Sequence, residues 1–206
     1  MNLYTVLVAI GLFSLGSLII VTAFAVHPPL RKALPFYDPI ADWIGHGIPD
    51  LGMLYMVGVM AGIVPLFLPF SWCVAFFILS AGVFAFRIIA GLSFVWWQDI
   101  LHLIGVLAKA YMFVALTHWQ EWATTLAVAY FVGIIALYVV RTYVPLHRGE
   151  GLAFGRLLFN VEHILMSIAA IIMFALMQWP YLWPYDVFVM LSMCNPSSPD
   201  AGMMRH

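Results

Sequence analysis

The sequence predicts an all-α fold, a polytopic transmembrane helical bundle of six spans arranged as three helical hairpins with both termini outside. Three observations carry this. The 206 residues are 65% apolar. Charged residues make up only 8%, against about 25% in soluble domains. The apolar residues also fall into runs near the roughly 20 residues that a helix needs to cross about 30 Å of hydrocarbon. No water-facing surface for a domain of this size can be assembled from so few charges. A soluble enzyme, a nucleic-acid binder and a disordered chain are therefore excluded. The formal net charge of -1 offers no basic patch to a polyanion, and two cysteines, Cys73 and Cys194, provide no disulfide framework.

The spans follow in order. Leu3–Val26 is uncharged throughout. Its Ala23-Phe24-Ala25 has the look of a signal-peptide cleavage site, but a positive n-region is missing and the apolar stretch is too long for an h-region, so a retained span is expected. The second, 44–68, carries Asp50 and closes at Pro69. Only Pro69, Phe70 and Ser71 separate it from the third, 72–97, which contains Arg87. The fourth, 99–117, is shorter and holds His102 and Lys109; the fifth is 122–140. The sixth, 154–177, has Arg156, Asn160 and Glu162 in its first turns, so hydrocarbon is expected to begin near residue 160. The transmembrane domain thus covers 1–179. The remainder, 180–206, is an aromatic interfacial segment (Tyr181, Trp183, Tyr185, broken by Pro180 and Pro184) and a C-terminal tail. The tail, with Met190, Met193, Cys194, Met203, Met204 and His206, is read as a docking or disordered end, with Cu(I) binding as the alternative.

With six crossings, Arg31, Lys32, Arg141, Arg148 and Arg156 fall on the side opposite the termini, and Arg205 alone on theirs. The positive-inside rule then makes loops 27–43 and 141–153 cytoplasmic, in a bacterial inner (plasma) membrane.

His46, His102 and His163 stand near the start of the second, fourth and sixth spans, which all enter from the same side. The three histidines therefore share one level. The intervals between them are 56 and 61 residues, one hairpin each, so the chain reads as three two-helix units. Helix offsets of 3, 7, 10 and 14 keep to one stripe, which holds Met53, Met56 and Met60 after His46, Lys109 and Met112 after His102, and Met166, Met173 and Met177 after His163. Asp42 and Asp50 lie one turn either side of His46, Asp99 lies three residues before His102, and Glu162 immediately precedes His163. A carboxylate beside a histidine fixes its tautomer and raises its basicity around a metal. Asp99 is well spaced for this; Glu162 is expected to point about 100 degrees away on the helix.

Histidine, methionine and carboxylate together are the ligand palette of copper, imidazole suiting Cu(II) and thioether suiting Cu(I). The expectation is a metal site on His46, His102 and His163. Met53, Met56, Met112, Met166 and Met173 are candidate thioether ligands or a packing layer, the ten-residue offset placing it about 15 Å deeper. Asp50, Asp99, Glu162, Lys109 and Arg87 are the supporting or proton-relaying residues. Any single methionine is more often core filler than ligand, whereas an ionisable residue inside a span is a functional candidate by default. His27 and His147 are read as interfacial and His118 and His206 as outer, none with a site role.

Arg87 and Lys109 are both placed near the midplane, where a lone cation costs at least about 2.5 kcal/mol. Asp50 is the expected partner of one of them, the alternative being that Lys109 snorkels to the interface. A wet cavity lined by Asp50, Lys109 and His102 would instead relay protons, making the chain a proton- or ion-conducting or structural subunit. Haem b between two of the histidines is the rival cofactor, with one haem at most because there is one histidine level. A Mg-chlorin fits the same residues.

The runs His46-x6-Met53-x2-Met56 and His163-x2-Met166-x6-Met173 resemble a group of small actinobacterial membrane proteins with repeated His/Met helices. The likeness covers about two helices and implies a similar helical fold and metal handling; the second unit departs from it by placing Lys109 where a methionine would stand. There is no Cys-x-x-Cys-His, no His-Glu-x-x-His and no Gly-rich phosphate loop. Loops this short house no catalytic domain. The chain is accordingly expected to be a subunit of a membrane redox or metal-handling complex, or a homo-oligomer, rather than a stand-alone enzyme. Phe76, Phe77, Phe84 and Phe86 offer surface to partner helices or to the lipid bilayer.

Overall fold

The computed structural model describes residues 3–32, 34, 38–65, 68, 70–93, 95–115, 120–149 and 151–178. Among them every regular element is helical. Helix α1, Leu3–Val26, ends where Pro28 and Pro29 interrupt its hydrogen bonds and open a single turn, α2 (Pro28–Arg31). Asp38 caps the next turn, α3 (Pro39–Asp42): its Oδ1 accepts the N–H groups of Ile40 and Ala41 at 3.0 and 3.1 Å.

From α3 the chain continues through a π-helical turn, Trp43–Gly47, into α4, Ile48–Met60. Pro49 accounts for the wide turn. It has no N–H to give the Gly45 carbonyl, and its ring would crowd that carbonyl in an α-helix, so Ile48 N–H reaches back five residues to Trp43 instead.

Helix α4 stops at Met60, and the chain turns at Gly62 with φ +69°. In the predicted second span, 44–68, helix thus ends at Met60, and residues 61–65 are not helical. The Tyr55 hydroxyl donates to the Leu68 carbonyl (2.7 Å) and accepts from Leu68 N–H (2.9 Å), holding the returning chain against α4. Next come α5 (Phe70–Ile89), α6 (Trp96–Ala115), α7 (Glu121–His147) and α8 (Phe154–Gln178). The predicted third span also ends early, at Ile89, before Gly91 with φ +67°. Helix α7 runs well past its predicted end, taking up Pro145 near its last turn.

Among the described residues five helices are long and apolar enough to cross a membrane: Leu3–Val26, Trp72–Ile89, Trp96–Ala115, Glu121–His147 and Phe154–Met177. Helix α4 has 13 residues, too few for a full crossing alone. Each predicted pair of consecutive spans packs together, α1 on α4, α5 on α6 and α7 on α8, and α1 also lies against α8. The tail 179–206 and His118 lie outside the described residues.

The methionine stripes fill the core. Met53, Met56, Met112 and Met173 are fully buried among Phe77, Phe113 and Phe174. At Gly105 of α6 a Cβ would stand 2.8 Å from the Tyr130 hydroxyl of α7, which donates to the Leu101 carbonyl at 2.6 Å. Close approach of the two helices therefore depends on the missing side chain.

Candidate metal centre

The three histidines predicted to share a level converge. His46 comes from the π turn, His102 from α6 and His163 from α8. Ring centroids are 4.8 Å apart for His46 and His102, 4.5 Å for His46 and His163, and 6.4 Å for His102 and His163. Asp42, one turn before His46, brings Oδ1 to 4.0 Å from His46 Nε2 and 3.7 Å from His102 Nε2. One ligand atom from each of Asp42, His46, His102 and His163 lies within 4.8 Å of all the others, a group that could hold a metal ion. Two ligands on one ion at about 2.1 Å each are at most ~4 Å apart, so a small side-chain adjustment closes the set.

The tautomers can be argued from the partners. His46 Nδ1 lies 3.0 Å from the Met166 thioether sulfur and 3.0 Å from Glu162 Oε1. An ionised carboxylate and a thioether only accept, so Nδ1 carries the hydrogen and Nε2 presents its lone pair. His163 Nδ1 donates to the Phe159 carbonyl at 3.0 Å, with Glu162 Oε2 2.6 Å away. Its Nε2 is likewise left as the acceptor. His46 Nε2, His163 Nε2 and His102 Nδ1 are buried with no hydrogen-bond partner, an uncommon condition for interior polar atoms.

Glu162 corrects one expectation. Rather than pointing away, its carboxylate stands between His46 and His163. The side chain is long enough to overcome the angular offset, because one of its two imidazole partners comes from a different helix. Asp99 corrects another: it does not orient His102 but binds Arg87, Oδ2 to Nε at 3.1 Å. Arg87 also reaches Asp38 through Nη1. It sits in the last turn of α5, not at the midplane, because that helix ends at Ile89. Of the two pairings predicted for Asp50, the structure forms the one with Lys109, Nζ to Oδ1 at 3.5 Å with both side chains 1% exposed. Lys109 is thus buried and does not snorkel. Among the candidate thioether ligands only Met166 touches an imidazole; Met53, Met56, Met112 and Met173 pack in the core.

Ser17 of α1 was not singled out from the sequence. Its hydroxyl lies 2.5 Å from Asp50 Oδ2 and 2.8 Å from Glu162 Oε1, joining the Lys109–Asp50 pair to the histidines. The available signal was Ser14 and Ser17 at helical spacing in the middle of an uncharged, largely apolar helix, where both are buried.

Arg87 ties the loop side of the site together, and Asp38 responds to it. Burial pushes the Asp38 carboxyl upward in pKa, but the Arg87 hydrogen bond and charge and the Ala41 and Ile40 N–H groups outweigh this and hold it below its usual 3.8. A depressed carboxylate stabilises the fold above its unfolded pKa, and that contribution is lost as pH falls through the folded value. The Asp38–Arg87 contact should therefore be intact at neutral pH and be lost only on acidification past the usual carboxylate range. Hydrogen exchange in residues 38–42 checks this: protection should fall on acidification in the native chain and be pH-independent in Asp38→Asn.

Two cavities meet at the centre. The inner one, about 20 Å³, is bounded by His46, His102, His163, Lys109, Tyr138 and Met166, room for about one water molecule or ion. The outer, about 590 Å³, shares His102 and Phe159 with it and is lined also by Asp42, Arg87, Arg141 and Arg156. The wall at Gly45 is tight. A Cβ there would meet Phe84 Cζ at 2.9 Å and His102 Cγ at 3.3 Å. Gly45→Ala should leave the helices intact while displacing His102, weakening metal binding about tenfold or more; an unchanged metal titration would contradict it.

Comparison of the chain with family models, curated proteins and solved structures yields no match.

Proposed function

We propose that the chain is an integral membrane metal-binding protein that holds one copper ion through His46, His102, His163 and Asp42, as a subunit of a membrane redox or metal-handling complex. The observation that carries this is the convergence of one ligand atom each from Asp42, His46, His102 and His163 within 4.8 Å of one another, with His46 Nε2 and His163 Nε2 buried and without a hydrogen-bond partner. A metal ion in that group would give the partnerless nitrogens of His46 and His163 a partner. Charge supports the same reading: among the described residues Asp50 and Glu162 are buried close to one buried lysine, Lys109, and a bound cation would relieve that imbalance inside a low-dielectric bundle. The choice of copper rests on imidazole donors with the Met166 thioether beside them. The inner cavity of about 20 Å³ does not admit a macrocycle between the rings, which favours a bare ion over haem b. In six-span form, with the 39–60 helical stretch and the chain after it as the second crossing, the cation-rich loops would face the cytoplasm of a bacterial inner membrane.

Elemental analysis and absorption and paramagnetic-resonance spectra of the purified protein test it. One copper per chain, lost in His163→Ala, is the expected result. A Soret band, or no transition metal after loading with Cu(II) and Cu(I), would sink it.

A second reading is favoured by one specific observation, the polar chain Lys109–Asp50–Ser17–Glu162–His46 with steps of 3.5, 2.5, 2.8 and 3.0 Å. A buried chain of that kind suits proton transfer. Proton flux into liposomes that vanishes in Asp50→Asn and persists without metal would select this reading.

A further inference from the structure

The outer chamber is far larger than a metal ion requires, and its charges are not all accounted for. Arg87 is engaged by Asp38 and Asp99, and Asp42 faces His46 and His102. Arg141 of α7 and Arg156 of α8 line the same chamber, and neither has a carboxylate partner among the described residues. The Arg141 guanidinium lies over the Trp97 ring at 4.6 Å from its centroid and near the Tyr138 ring at 5.3 Å. Cation–π contact positions the group without neutralising it, so its N–H fork stays available for an oxyanion.

Gln98 and Asn160 apart, the remaining wall is apolar. Val140, Val144 and Phe159 contribute to it. Val140 is 56% and Val144 36% exposed, so this wall belongs also to the outer face of α7, and a ligand with an apolar tail can extend along it towards lipid. A volume of about 590 Å³ lies within the roughly 300–1,000 Å³ of small-molecule sites.

We propose that this chamber binds an amphiphile with one anionic head group, held by Arg141 and Arg156, with its apolar part along Val140 and Val144. The ligand's position next to a metal rests on the function proposed above. Its binding rests on the two arginines alone, which separates the tests.

The experiment uses the full chain in nanodiscs of zwitterionic lipid and measures binding of radiolabelled dodecanoate, with inorganic phosphate and dodecylphosphocholine as competitors. Saturable binding of one dodecanoate per chain is expected, weakened about tenfold or more in Arg141→Ala and in Arg156→Ala. Arg156→Lys should retain most of the affinity. Both competitors should be at least about tenfold poorer than unlabelled dodecanoate. Should Arg141→Ala lower the melting temperature, Val144→Asp, which sets a carboxylate in the chamber wall, should give the same loss. Non-saturable binding, unchanged affinity in the alanine variants or in Val144→Asp, or inorganic phosphate competing as well as dodecanoate, would overturn the proposal. His163→Ala should lose metal and keep dodecanoate binding. Failure of the metal reading therefore leaves an arginine-dependent dodecanoate site standing.

Discussion

Replacing Lys109 with methionine should destabilise the protein by about 3–5 kcal/mol, the cost of leaving a buried charge without its partner. Lys109 and Asp50 face each other at 3.5 Å with both side chains 1% exposed. Methionine matches the lysine stem in length and apolar character, so the loss isolates the charge. Asp50→Asn combined with Lys109→Met removes both charges together and should recover most of the stability, since an apolar or neutral replacement of a whole buried pair is often close to neutral. Chemical unfolding in detergent, followed by tryptophan fluorescence, measures both. A Lys109→Met variant within about 1 kcal/mol of the parent, the ordinary range for point substitutions, would mean that the pair is solvated and the polar core wet.

Glu162→Gln should weaken metal binding by about 10–100-fold, the usual cost of losing a carboxylate that orients ligand histidines. One carboxylate stands against two imidazoles here, Oε1 3.0 Å from His46 Nδ1 and Oε2 2.6 Å from His163 Nδ1, whose N–H is directed at the Phe159 carbonyl. Glutamine can still accept at its carbonyl oxygen but presents an N–H₂ to the other ring, which favours the wrong tautomer there. The contact with the Ser17 hydroxyl can persist through the amide oxygen, so stability should change less than affinity does. Metal titration by competition with a chelator reads the first quantity and thermal unfolding of the metal-free protein the second. Equal metal affinity in Glu162→Gln and parent would show that Glu162 has no part in orienting the ligands.

The histidine level was legible because each histidine precedes or opens an apolar helical run, and a one-residue error shifts a helical side chain by only about 1.5 Å along the axis. His46, His102 and His163 do come together, and the buried methionines on the same stripes do fill the core. Azimuth was harder. The direction of Glu162 depends on where His46 arrives from another helix, and no spacing within one helix contains that information. Depth failed where a helix end was misplaced. Hydrophobicity carries on past Ile89 to Trp97, so Arg87 was counted as interior although Gly91 supplies the break. The same happened at Gly62. Ser17 was invisible for a different reason: a single hydroxyl in an apolar run becomes informative only once its two carboxylate neighbours, 33 and 145 residues away in sequence, are in place.

The wide turn at Trp43–Gly47 makes the centre sensitive to chain length in a way that no substitution reproduces. In an α-helix each residue advances the side chains by 100 degrees, so removing one residue from this turn would rotate everything before it against everything after it. Asp42 and the chamber are read in the phase that precedes the turn, and Asp50 with its lysine in the phase that follows. His46 sits between the two phases, and the extra residue lets a single continuous helix keep both in register.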